Sequence, residues 1–91
     1  MTQSVIESAQ SSHLTSTGDV TTRNAALMGF YVNSSSGGEL ALRTGGASGE
    51  LLGGAITPDA GYHAYPCACP GGLHATISGT LDVTFFFAEV A

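Results

Sequence analysis

In Thr80-Leu81-Asp82-Val83-Thr84-Phe85-Phe86-Phe87, the apolar residues Leu81, Val83, Phe85 and Phe87 alternate with Thr80, Asp82, Thr84 and Phe86. Side chains of an extended chain point to opposite faces in turn, so a period of two predicts a β-strand with one face in a core. Just upstream, Leu73, Ala75 and Ile77 alternate with His74, Thr76 and Ser78, and Ser78-Gly79 has the composition of a tight turn. Together they predict an antiparallel carboxy-terminal hairpin.

The same signals recur towards the amino terminus. Glu39 to Arg43 reads as a half-buried strand with Leu40 and Leu42 inward, bracketed by the turn-like stretches Ser34 to Gly38 and Thr44 to Gly49. Ala25-Ala26-Leu27-Met28-Gly29-Phe30-Tyr31-Val32 is apolar on both alternating faces, as expected of a central strand or of one whose second face meets another subunit. Leu51 to Ile56 and Tyr62 to Tyr65 bring the expectation to about six or seven short strands. Thirteen glycines argue against helix throughout, since each weakens a helix by about 1 kcal/mol. The predicted fold is all-β, a small antiparallel β-sandwich or jelly-roll-like domain over residues 13–91. Residues 1–12, rich in Ser, Gln and Thr, lack an apolar period and read as a flexible amino-terminal arm.

A chain of 91 residues holds one compact domain, burying roughly 60–65% of its unfolded surface. Charged residues make up 10% of it, against about 25% in a typical soluble protein. Arg23 and Arg43 face seven acids with no lysine, giving a net charge of −5. That balance repels a phosphate backbone and supplies no basic segment for an anionic membrane, so neither nucleic acid nor membrane is an expected partner. Met1 to Glu7 carries neither the positive nor the apolar part of a secretory signal, which predicts synthesis in a cytoplasm with free thiols.

The densest cluster of reactive side chains is His63-Ala64-Tyr65-Pro66-Cys67-Ala68-Cys69-Pro70-Gly71-Gly72-Leu73-His74. Cys67, Cys69, His63 and His74 are of the types that hold zinc, but the C-x-C spacing departs from the usual C-x2-C knuckle. The better reading is of small, partly buried cysteines and surface or interface histidines. A thiolate–imidazole nucleophile lacks a positioning third group, and the acids are scattered, so no catalytic, metal or cofactor site is expected. The glycine-rich stretches precede no helix and read as connections rather than phosphate cradles.

Phe86 is the anomaly, an aromatic on the polar face of the last strand. Set beside the doubly apolar segment before Val32 and the sparse charge, it predicts an oligomer or partner interface, with Met28, Phe30, Phe86, Tyr62 and Tyr65 as its candidates.

The order of elements from Gly29-Phe30-Tyr31-Val32, through Gly37-Gly38-Glu39-Leu40-Ala41-Leu42-Arg43 and Gly45 to Gly49, to Gly72 to Phe87 resembles small virion structural proteins of tailed bacteriophages. The likeness spans about residues 18–90 and lies in strand order and glycine placement; the Cys67 to Cys69 segment departs from it. The resemblance implies a non-enzymatic β-sandwich module, a homotrimer made in the bacterial host cytoplasm and carried in the virion. It further implies a head decoration or cement protein bound to the major capsid protein. Two alternatives are a tail or fibre component presenting Thr57 to His63 to a host surface, and a small zinc-binding or enzymatic domain.

Overall fold

The computed structural model describes residues 9–89. All of its regular elements are strands: β1 (Ala9–Leu14), β2 (Gly18–Thr21), β3 (Ala25–Thr44), β4 (Glu50–Ile56), β5 (Gly61–Cys69) and β6 (Leu73–Glu89). They form a single antiparallel sheet in which β3 and β6 pair along almost their whole length. The all-β antiparallel expectation therefore holds, with one continuous sheet where two were expected.

The first half of β3 and the second half of β6 are flanked by β5 and β1, giving the local order β1-β6-β3-β5. Their other halves are flanked by β4 and β2, giving β2-β6-β3-β4. Straight, the nineteen steps from Ala25 to Thr44 would span about 63 Å. Yet Ala25 pairs with Cys69 and Thr44 with Leu73, four residues further on, a separation the chain covers in at most ~14 Å. The long ribbon is consequently folded back on itself, so the two halves face one another across a shared interior. The core draws Leu27, Phe30, Val83 and Phe85 from one half and Leu40, Leu42, Leu73 and Ala75 from the other.

The bend lies where β3 reads Ser34 to Gly38 and β6 reads Ser78 to Asp82. Gly37 and Gly79 both have positive φ, 70° and 75°, and the ladder slips between Ser36 and Gly37. This corrects the predicted carboxy-terminal hairpin. Ser78-Gly79 does not reverse the chain; it bends one strand in company with β3, and both flanking runs pair with β3 instead of with each other. The Ser34 to Gly38 stretch is likewise the bent middle of a strand.

The inward faces of the bend's two arms follow the expected alternation. Leu81, Val83, Phe85 and Phe87 are buried, as are Leu40, Leu42, Leu73 and Ala75, with Ile77 packed against them. Of the residues 1–12 read as a flexible arm, residues 9–12 instead lie in β1, with Gln10 opposite Phe87 and Ser12 opposite Phe85. Residues 1–8 lie outside the described residues. No helix of the described residues is long and apolar enough to cross a membrane.

Candidate functional site

The two outer faces of the folded sheet differ in chemistry. On the β2-β6-β3-β4 half, the outward row runs Asp19, His74, Arg43 and Leu51 across four strands. His74 is buried there, its Nδ1 2.8 Å from Asp19 Oδ1, and Arg43 donates to the Gly49 carbonyl at 3.3 Å. Glu39, two residues before Ala41 on the same strand, adds a further outward charge. This face is polar and internally paired.

The outer face of the β1-β6-β3-β5 half is built from Ala26, Gly29 and Tyr31 on β3, Tyr62, Ala64 and Ala68 on β5, and Phe86 on β6. Tyr62 and Tyr31 are 55% and 45% exposed, values that put large aromatic area of this face in solvent. Tyr62 and Phe86 tilt together with ring centroids 6.4 Å apart and an interplanar angle of 48°. Between their strands lies Gly29, where a Cβ would collide with the Tyr62 ring and the His63 carbonyl. The missing side chain lets the tyrosine lie across the sheet, which makes Gly29 part of the surface's design.

A charged pair on this face lies on β1 and β6, near the bend. His13 Nε2 bonds the Asp82 carboxylate there, and Asn33 donates to Asp82 Oδ1 at 3.1 Å and to Thr84 Oγ1 at 3.2 Å. The bond from His13, then that from Asn33, hold the Asp82 carboxyl below the ordinary aspartate range. The pair fastens β1 to β6, with His13 in the same cross-strand row as Thr84, Tyr31 and Tyr62.

Of the five residues predicted for an interface, Tyr62 and Phe86 are on this surface, Phe86 half-buried. Met28 is half-buried at the β-bulge between Leu27 and Gly29. Phe30 is corrected to the core: it is 1% exposed, 5.2 Å from the His63 ring and 5.9 Å from the Phe85 ring. Tyr65 also faces inward, its hydroxyl donating to the Leu52 carbonyl at 3.0 Å, so it ties β5 to β4 within the chain. Tyr31 was missed, although it is the direct cross-strand partner of Tyr62.

The four side chains weighed for zinc do not converge. His74 belongs to the opposite outer face with Asp19, while His63, on the inward side of β5, stacks on Phe30 and bonds the Asp59 carbonyl at 2.7 Å. Among the described residues no group of three or more His, Cys, Asp or Glu is placed to hold a metal. Cys67 and Cys69 are free thiols on the inward face of β5, Cys69 buried and Cys67 half-buried. Burial, and next the neighbouring Cys67, push the Cys69 thiol up from its usual range.

No family model, curated protein or solved structure matches the chain.

Proposed function

We propose that the protein is a non-catalytic structural module that assembles through the outer face of its β1-β6-β3-β5 half. One observation carries this reading: an aromatic cluster of the exposed Tyr31 and Tyr62 and the half-buried Phe86, set among alanines and a glycine, lies on this face, whose charged pair, His13 and Asp82, is on β1 and β6. Interfaces have this composition, with aromatics enriched. The opposite face, already internally paired, offers less to a partner.

The resemblance in strand order and glycine placement to virion proteins of tailed phages directs the reading towards a particle. The preferred role is head decoration or cement, in which copies self-associate as a trimer and bind the capsid exterior. Many weak, identical contacts on a repetitive lattice add to a strong total through effective concentration, which suits a small module with one modest sticky face. The test is quantitative mass spectrometry of purified particles, joined to electron cryo-microscopy. Hundreds of copies on the head support decoration; a few at the tail transfer the reading to a tail or fibre component, and absence from particles ends it.

A further inference from the structure

We propose that Cys67 and Cys69 form a two-thiolate site for a soft monovalent metal ion, with Cu(I) as the ion whose chemistry it fits. The site is independent of the assembly face, since both sulfurs lie on the other side of β5 from Tyr62.

Alternation along β5 puts residues two apart on one side of the strand, with Cα atoms about 6.6 Å apart. Two cysteine side chains at that spacing can turn their sulfurs towards a common point between them. Both thiols are free, and the Cys69 sulfur lies back along the strand towards Cys67, 3.6 Å from its carbonyl oxygen. Cys67 is the half-buried member, so an ion has a way in from the edge of the sheet, while Cys69 anchors it against the core.

The number of available donors selects the ion. Zinc in a structural site takes four ligands, and no third His, Cys, Asp or Glu converges here among the described residues. His63, the nearest imidazole on the same face of the strand, is engaged by Phe30 and the Asp59 carbonyl. Thiolates select soft ions such as Cu(I), which is satisfied by two sulfurs in a line. Binding replaces two S–H bonds with two S–Cu bonds, releasing two protons and leaving a complex of one negative charge with no change in oxidation state.

The experiment is an anaerobic titration of the reduced full chain with Cu(I) against the coloured competitor bicinchoninate, with far-ultraviolet circular dichroism on every sample. The wild-type chain is expected to withdraw about one Cu(I) per chain and to gain near-ultraviolet thiolate-to-metal absorption. Cys67→Ser and Cys69→Ala should each abolish both signals, and Zn(II) should not stay with the protein through gel filtration. Because Cys67 is half-buried, its serine variant keeps the fold and decides the matter even if Cys69→Ala unfolds. Failure of the folded wild type to withdraw Cu(I), or undiminished withdrawal by Cys67→Ser, would overturn the proposal.

Discussion

Gly79 sits against Gly37 at the point where the sheet folds over: a Cβ on Gly79 would stand 3.0 Å from the Gly37 carbonyl oxygen and 3.2 Å from the Gly38 Cα. Both glycines are in the left-handed region, so the two long strands bend together at a place where neither carries a side chain. The fold-back that encloses the core depends on this pairing. Gly79→Ala therefore meets two penalties, the left-handed backbone, about 1–2 kcal/mol, and a contact against unyielding backbone. Gly37→Ala meets only the first, since nothing lies within 4 Å of its added Cβ. Urea denaturation should find Gly79→Ala the less stable variant; equal losses would contradict this account of the bend.

Adjacent phenylalanines on β6 should respond in opposite ways. Phe85 is fully buried against Phe30, and its truncation to alanine should cost about 3–5 kcal/mol, enough to threaten a domain of this size. Phe86 faces outward and is half-buried, so Phe86→Ala should cost far less in the same denaturation experiment.

Acid should loosen β1. The Asp82 carboxyl is held below its unfolded value by His13 and Asn33, so the folded state binds fewer protons than the unfolded one in that range. Its contribution is complete above the ordinary aspartate pKa and is lost as pH falls through the depressed folded value. Protection of the amides of residues 10–14, taken relative to their intrinsic exchange rate at each pH, should fall as pH drops below the ordinary aspartate pKa, and Asp82→Asn should remove that pH dependence. An unchanged acid profile in the variant would mean that other carboxylates hold the strand.

The two thiols should separate by reactivity. Cys69 is 1% exposed and its thiol is pushed up by burial, whereas Cys67 is partly open. Iodoacetamide at mildly alkaline pH should modify Cys67 first, as read by peptide mapping, with Cys69 following only on unfolding.

The all-β character and the inward face of Thr80 to Phe87 were legible because strand alternation is a local property, visible wherever apolar and polar residues take turns. Gly79 was not, because a turn and a bulge ask for the same residue. What distinguishes them is whether the flanking runs pair with each other, and here both pair with β3 instead. Phe30 was assigned to a surface for a related reason. The bulge between Leu27 and Gly29 shifts the parity of β3, so Leu27 and Phe30, three apart, both point inward while Gly29 and Tyr31 point out. No count along the segment exposes an extra residue whose position is set by β5 and β6. The outward position of Phe86 was legible because the alternation of the last strand runs uninterrupted from Leu81 to Phe87.

The central claim is that the aromatic outer face of the β1-β6-β3-β5 half is covered by a partner, in the first place another copy of the chain. Sedimentation velocity of the full chain, compared with Tyr62→Asp, tests it most directly. Tyr62 is more than half exposed, so a charge there spares the core while placing an unpaired carboxylate within the proposed contact. The account predicts an oligomer for the wild type and a folded monomer for Tyr62→Asp. A monomeric wild type, or a variant that assembles as the wild type does, would contradict it.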